Sequence, residues 1–305
     1  MKTEKLNEEQ AENPKNHYIE VAMDDARQLQ FLVRLLDDDT PLVREEVLRA
    51  IDLFGPSLES ELERIGVALS REAAKPIQHI LERNRREVLR ESWSQWLSIR
   101  EDKKRLEAAL TLIVEFQDGR ASSKKLPHLL DDLADQCRVL GRHEDAMSLA
   151  RFLFKEKSLR GVEQEDYDNP LNSNLVYVLT EKRGLPITLA CVYILVGHRL
   201  GLAIEGCNFP GHFLAIAPVQ RTRVLVDCYN GGRTIGQHDL ENIDARVSMR
   251  DILRLECHSS AIIARMMRNL KTAYEHAGFA ENARLMDQLL DSMNAKTSHS
   301  PLQSG

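Results

Sequence analysis

The most informative part of the chain is residues 172–216, NSNLVYVLTEKRGLPITLACVYILVGHRLGLAIEGCNFPGHFLAI, followed after a short gap by residues 224–233, VLVDCYNGGR. The first half of this stretch predicts two helices. Asparagine and serine at 172–174 favour an N-cap, and Pro186 is suited to the first position of the next helix. Gly201 is expected to end that second helix.

Short strands are expected in the second half of the same stretch, because Val, Ile and Phe are concentrated there. The predicted strands are residues 203–204, 213–217 and 224–227, with a polar turn at 220–223 joining the last two. His212 lies just before the second strand, and Asp227 ends the third. These positions predict one small antiparallel hairpin inside a mostly helical region.

The hairpin is expected to bring His212 and Asp227 together. Pairing about the polar turn makes them cross-strand neighbours within one or two positions, where Cβ atoms lie roughly 4.5–5.5 Å apart. A carboxylate there can accept the Nδ1 proton of the imidazole and fix its tautomer, as in the base and orienting residue of a catalytic triad. The helix start at 186–188 precedes the hairpin, and helix N-termini favour thiolates and oxyanions.

Composition narrows the fold and the class of partner. The 15 Gly and 10 Pro in 305 residues fall below the typical share of about 12%, so long helices are expected and a β sandwich or barrel is excluded. The net charge of −6 argues against a dedicated nucleic-acid binder. The N-terminus lacks the apolar core of a signal peptide, and no run of about 18 apolar residues predicts a membrane helix.

The five cysteines are dispersed without a C-x-x-C pair, which favours reduced thiols in a cytoplasmic protein. No motif indicates a metal ion or another cofactor.

Outside the central stretch the pattern is helical. LLDDDTPLVREEVLRAIDLFG, residues 35–55, resembles a HEAT repeat, and the C-terminal region resembles a TPR motif. The predicted organisation is a flexible lead-in (1–24), a HEAT-like segment (25–70), a core with N-terminal helices (71–247), a TPR-like region (248–295) and a flexible tail (296–305).

Four motifs in order resemble the bacterial transglutaminase-like family of the SirB type. They are Arg-Gly-x-Pro-Ile-Thr-Leu at 183–189, Arg-Leu-Gly-Leu at 199–202, Phe-Pro-Gly-His-Phe at 209–213 and Asp-x-x-Asn-Gly-Gly at 227–232. The resemblance covers roughly residues 88–290. It implies an α+β fold, predominantly helical, whose transglutaminase-like core has a small antiparallel sheet. The HEAT-like segment lies outside the resemblance, and together with the TPR-like region it gives helical repeat-like segments at both ends. It also implies a site built around His212 and Asp227.

The chain departs from active members of that family at the nucleophile. They carry a Cys about fifteen residues before the Gly of Leu-Gly, and here that position is Pro186. The expected function is therefore non-catalytic binding of a protein or peptide, and an enzyme is disfavoured. The expected binding rim, besides the His–Asp pair, is Pro186, Thr188, Asn208, Pro210, Gly211, Asn230 and Gly231.

Two alternatives stay open at this point. A divergent thiol hydrolase or acyltransferase would use Cys191 or Cys207 with His212 and Asp227. Apolar neighbours at helical spacing favour a buried, inert thiol for Cys191, and Cys207 lies in the run toward His212. A purely structural scaffold is the other alternative, in which His212 is a satisfied core histidine.

Overall fold

A computed structural model describes residues 27–66, 69–241 and 248–298, and the chain forms two compact units, Met1–Asn84 and Arg85–Gly305. The helices of the first unit are α1 (27–35), α2 (Pro41–Asp52), α3 (Leu58–Ile65) and the beginning of α4 (Arg71–Ser92), which contains the boundary. The apolar positions that recur at helical spacing form its core, including Leu29, Ile51, Leu58 and Ile77. The HEAT-like character of this segment stays a prediction.

Helices make up most of the second unit. They are α5 (Asp102–Asp118), α6 (Arg120–Ser123), α7 (Lys125–Val139), α8 (Ala146–Arg151, continued by one π turn, Phe152–Glu156), α9 (Leu175–Glu181), α10 (Pro186–Arg199), α11 (Gln237–Glu241), α12 (Met249–Ile252), α13 (Ser259–His276) and α14 (Ala280–Ser298). Every residue of α10 from Pro186 to Gly197 is buried. This helix is therefore apolar on all sides and lies at the centre of the core.

The strands form two sheets. They are β1 (Arg160–Gly161), β2 (Arg183–Gly184), β3 (Glu205–Cys207), β4 (Leu214–Val219), β5 (Thr222–Asp227), β6 (Arg233–Ile235) and β7 (Glu256–Cys257). The larger sheet is antiparallel, in the order β6-β5-β4-β3-β7. Strands β1 and β2 pair in parallel as a separate two-stranded sheet. The prediction of a predominantly helical α+β fold with a small antiparallel sheet is confirmed.

The hairpin is longer and tighter than the sequence predicts. Thr222 and Arg223, expected in the turn, pair with Val219 and Pro218, so only two residues, at 220–221, connect the strands. Gln220 takes a left-handed φ of 52° there, the conformation that two-residue hairpin turns require. The strand expected at 203–204 lies two residues later, as β3, because the pairing with β4 begins at Glu205.

The C-terminal region contributes to the sheet as well as to the helices. The purely helical character expected from residue 248 onward needs correction, because β7 pairs antiparallel with β3. Helices α13 and α14 pack together, and Lys271 pairs with Asp287 across them at 2.9 Å. The TPR-like character of this region stays a prediction.

Most residues of the two predicted flexible ends of the chain lie outside the residues that the structure describes. The lead-in (1–24) and residues 299–305 of the tail lie outside the described residues, while 296–298, expected in the tail, belong to α14. None of the helices in the described ranges combines the length and the apolar character that spanning a lipid bilayer requires.

Candidate functional site

His212 lies in a tight turn immediately before β4. Gly211 adopts a left-handed φ of 74°, and the His212 amide donates to the Phe209 carbonyl at 3.3 Å. Phe213, 1% exposed, anchors the next position in the core. The imidazole itself is partly open, with its side chain 29% exposed. The turn therefore holds the ring at the surface between two buried aromatic residues.

His212 and Asp227 are hydrogen-bonded, with Nε2 and Oδ1 3.0 Å apart. Their predicted proximity is confirmed, but the nitrogen involved differs from the expected Nδ1. The last register pair of β4 and β5 is Ala215 with Val226, and continuing it by one residue sets Asp227 opposite position 214, two residues past His212, so the ring reaches the carboxylate with its outer nitrogen. Nδ1 has no hydrogen-bond partner within the described ranges.

Asp227 is almost fully buried and is surrounded by donors. Its Oδ1 accepts from the Asn230 amide at 3.1 Å, and its Oδ2 accepts from Asn230 Nδ2 at 2.7 Å. Arg233 Nε lies 3.7 Å from Oδ2. Burial alone would raise the pKa of Asp227, but the hydrogen bonds from His212 and Asn230 outweigh it and lower this pKa below its ordinary value. The carboxylate is therefore ionised near neutral pH and holds the imidazole in place.

Two consecutive glycines allow the chain to turn closely after Asp227. Gly231 and Gly232 both have left-handed φ values, 74° and 70°. A Cβ at Gly232 would lie 2.5 Å from the Phe154 ring, and one at Gly231 would lie 2.8 Å from Lys155 Nζ. The Asp-x-x-Asn-Gly-Gly spacing thus provides the acceptor, its amide donor and the residues that close the turn.

Tyr229 connects the His–Asp pair to strand β1. Its ring meets the His212 ring edge to face, with centroids 6.0 Å apart. Its hydroxyl donates to the Val162 carbonyl at 2.5 Å, and its carbonyl accepts from the Gly161 amide at 3.2 Å. Tyr229 is not among the predicted site residues, although it lies inside the Asp227–Gly232 motif.

The beginning of helix α10 is reached through the same strand. The Val162 amide donates to the Gly184 carbonyl at 3.2 Å, and Pro186 begins the helix two residues later. Pro186 and Thr188 are both buried. The Thr188 hydroxyl donates to the Leu185 carbonyl at 3.0 Å, so it is occupied within its own helix turn. Within the described ranges no hydrogen bond joins either residue to His212.

The other predicted rim residues are divided between two surroundings. Asn230 contacts Asp227 directly, and Gly231 follows it in the same turn. Pro210 is exposed in the turn that leads into His212. The Asn208 side chain accepts from Arg265 at 2.6 Å instead of facing the His–Asp pair with a free amide oxygen. Their role as a binding rim stays a prediction.

Comparison with known proteins identifies the central region. Residues 122–268, which include both members of the His–Asp pair, match the family described as the transglutaminase-like superfamily. This part of the chain is therefore similar to transglutaminase-like domains. No solved structure matches the chain.

Relatives of the transglutaminase-like domain occur in bacteria and animals. A UPF0162 protein of Xylella fastidiosa is 35% identical over 153 residues, covering 46% of this chain and 53% of the relative. A UPF0162 protein of Pseudomonas aeruginosa is 27% identical, covering 56% of this chain and 65% of the relative. F-box only protein 21 of Mus musculus is 29% identical over 41% of this chain and 21% of its own length. The chain thus spans about half the length of its Xylella relatives.

The cysteines of the chain are free thiols, and all are buried. Burial raises the pKa of Cys207 to about 11 and raises the pKa of Cys191 further still. Cys207 contacts the Ile252 carbonyl at 3.7 Å. In the part of the chain that the structure describes, no hydrogen bond joins a cysteine sulfur to His212. Neither thiol has the electropositive, partly exposed surroundings of an activated nucleophile.

One cluster has the residue types of a metal site. The ligand atoms of Asp102, Glu205 and His258 lie within 4.8 Å of one another. Lys103 Nζ already pairs with Glu205 and lies 3.7 Å from Asp102. Asp102 also accepts from the Ser259 amide at 3.1 Å and its hydroxyl at 2.7 Å, at the start of α13. An ion pair and a helix cap therefore explain these positions.

Proposed function

We propose that this chain is a non-catalytic transglutaminase-like protein of the SirB type that binds a protein or peptide. The observation that carries this proposal is the combination of a maintained His212–Asp227 pair with Pro186 at the position where active family members have their thiol. Proline has no side-chain nucleophile and no amide donor. The pair then keeps a fixed, partly exposed imidazole without the group that would attack a substrate.

The geometry around the imidazole supports binding. Asp227 orients the ring through Nε2 at 3.0 Å, which leaves Nδ1 available to a ligand. Gly211 precedes His212 and Gly231 follows Asn230 in the turn after Asp227, and residues without a Cβ let a peptide backbone approach closely. The HEAT-like (25–70) and TPR-like (248–295) segments are included in the proposal as further contact surfaces. A cytoplasmic location is also proposed, supported by five free thiols.

A first experiment tests the missing nucleophile. The wild-type protein is incubated with a glutamine-containing peptide and a fluorescent primary amine, and no amine incorporation is expected. The Pro186→Cys variant is then alkylated with iodoacetamide at pH 7. We expect the introduced thiol to react faster in Pro186→Cys than in Pro186→Cys combined with His212→Ala, because the family resemblance places residue 186 beside the imidazole and a neighbouring imidazole favours the thiolate.

The same experiment distinguishes the thiol-enzyme alternative. Turnover by the wild type that is lost in Cys191→Ala or Cys207→Ala would overturn the proposal. Rapid labelling of either native thiol in the folded protein would count against it too, because burial raises the pKa of both. Labelling only after unfolding is the expected result.

A second experiment tests binding. A peptide library is screened against the immobilised wild-type protein, and each retained peptide is measured again with His212→Ala, Asn230→Ala and Arg221→Ala. We expect the first two variants to weaken binding about tenfold. Arg221 lies in the exposed hairpin turn away from the pair, so its variant is the matched control. Unchanged binding by His212→Ala would favour the scaffold alternative instead.

A further inference from the structure

A cavity of about 600 Å³ lies beside strands β1 and β2, and its lining has not been used by the function proposed above. Its volume falls within the range of small-molecule sites, roughly 300–1,000 Å³. Three cations, Arg160, Lys182 and Arg183, line it together with two carboxylates, Asp166 and Glu181. We call it the Arg160–Arg183 cavity.

The two arginines are directed into this cavity by strand geometry. Arg160 and Arg183 are register partners in the parallel pair, so their side chains leave the same face of the small sheet. Other side chains pack against the opposite face of this sheet at Gly161 and Gly184, the glycines that follow the two arginines. A Cβ at Gly161 would lie 2.5 Å from the Tyr229 ring, and one at Gly184 would lie 2.8 Å from Thr188 Oγ1. The packed face thus fixes the direction of the arginines.

The charges of the cavity do not neutralise one another. In the described part of the chain, the side chains of Arg160, Lys182, Arg183, Asp166 and Glu181 make no ion pair and no hydrogen bond, although all five residues line one cavity. Other cations of the second unit do have carboxylate partners close by, such as Arg199 with Glu107 at 2.7 Å. Unpaired guanidinium groups side by side are the arrangement that binds oxyanions in two-pronged fashion.

The backbone at the cavity holds two residues in an unfavourable conformation. Ser158 and Lys182 have left-handed φ values of 60° and 58°, and both line the cavity. Lys182 occupies the C-cap of α9, a position where glycine is preferred. Non-glycine residues kept in this region concentrate at ligand sites.

We propose that the Arg160–Arg183 cavity binds a small hydroxyl-bearing phosphate monoester, with Arg160, Lys182 and Arg183 holding the phosphate. Three cations match a dianionic phosphate better than a single carboxylate. Asp166 and Glu181 accept hydrogen bonds from ligand hydroxyls and repel a second anionic group, and Tyr177 offers a further hydroxyl on the same wall. This site does not depend on the function proposed for the His–Asp pair.

The test is isothermal titration of the full chain in phosphate-free, low-salt buffer. The probes are ribose 5-phosphate, ribose and acetate, which separate the phosphate from the sugar and from a carboxylate. We expect saturable binding of ribose 5-phosphate, at least about tenfold tighter than ribose or acetate. Binding should weaken as salt is added.

Variants locate the site. Arg160→Ala and Arg183→Ala are each expected to weaken ribose 5-phosphate about tenfold or more, while Arg160→Lys retains part of the affinity. Arg221→Ala, an exposed arginine outside the cavity, and His212→Ala are expected to bind like the wild type. Circular dichroism checks the fold of each variant, and neither cavity arginine has a side-chain partner among the described residues that its replacement would remove.

Several results would overturn the proposal. They are absence of saturable binding by the wild type, acetate binding as tightly as ribose 5-phosphate, or equal weakening by Arg221→Ala. If only His212→Ala weakens the binding of ribose 5-phosphate, the ligand binds at the His–Asp pair and not in the cavity. Failure of the phosphate titration leaves the peptide experiments unaffected, so the two proposals fail separately.

Discussion

The His212–Asp227 pair and the Arg160–Arg183 cavity are connected through strand β1, but they differ in how their charged groups are paired. At the pair, one buried carboxylate accepts from His212 and twice from Asn230. At the cavity, five charged side chains have no side-chain partner within the described ranges. The first arrangement satisfies itself and stabilises the fold. The charged side chains of the cavity contribute little to the stability of the fold, and they are available to bind a ligand.

The largest effect is expected when the carboxylate of the pair is removed. Asp227→Ala leaves the Asn230 amide and the imidazole without their acceptor, and it should lower the free energy of unfolding by about 2–4 kcal/mol. Asp166→Ala is the matched control in the cavity and should change it by less than about 0.5 kcal/mol. Urea unfolding followed by circular dichroism measures both. Equal losses would remove the contrast between the two regions.

The next effect concerns the strand that connects the regions. Gly161→Ala places a Cβ 2.5 Å from the Tyr229 ring, so either the strand or the ring must move. Crowding of this kind costs about 1–3 kcal/mol. Gly236→Ala is the control, because the nearest atom to its Cβ is 3.5 Å away. If Gly161→Ala is as stable as this control in thermal melts, Tyr229 is not held against β1 as described.

The sequence allows the hairpin to be predicted because the signals are local. His212 and Asp227 lie at nearly equal distances from a polar turn, and Asn174 does cap α9, accepting from the Val176 amide at 3.0 Å. The cavity could not be predicted in this way. Its arginines come from two Arg-Gly pairs whose two-residue strands have no alternating pattern, and only the tertiary fold brings 160 beside 183.

Smaller features were missed for related reasons. Strand β7 lies between helical segments and is recognised only by its pairing with β3. The left-handed φ of Lys182 is invisible in a sequence, since lysine gives no sign of it. His212 bonds Asp227 through Nε2 instead of Nδ1 because the two residues are offset by two positions in the strand register. The midpoint of the hairpin predicts their pairing only to within one or two positions, so it could not predict which nitrogen is used.

A pH titration sharpens the contrast further. The pKa of Asp227 is lowered in the folded state, so its contribution to stability is fully present above the unfolded value of about 3.9 and is lost as the pH falls through the folded value. His212, Asn230 and Arg233 are the groups that face it. We expect the difference in unfolding free energy between wild type and Asp227→Asn to be constant from pH 5 to 6 and to shrink below about pH 4. Asp166→Asn should show no such change, and a parallel decline would contradict the assignment.

The smallest change in the free energy of unfolding is expected at the cavity itself. It should be an increase, whereas Asp227→Ala and Gly161→Ala should each cause a decrease. Lys182 holds a β-carbon in the left-handed region at φ 58°, so Lys182→Gly should raise the free energy of unfolding by about 0.5–1 kcal/mol. Lys124 caps α6 at a right-handed φ of −64°, and Lys124→Gly should lower it by a similar amount. Lys182→Gly also removes a cation from the cavity and should weaken ribose 5-phosphate. A gain in stability together with a loss of binding would show that this lysine is kept for its charge, whereas a loss of stability would mean that the fold requires it.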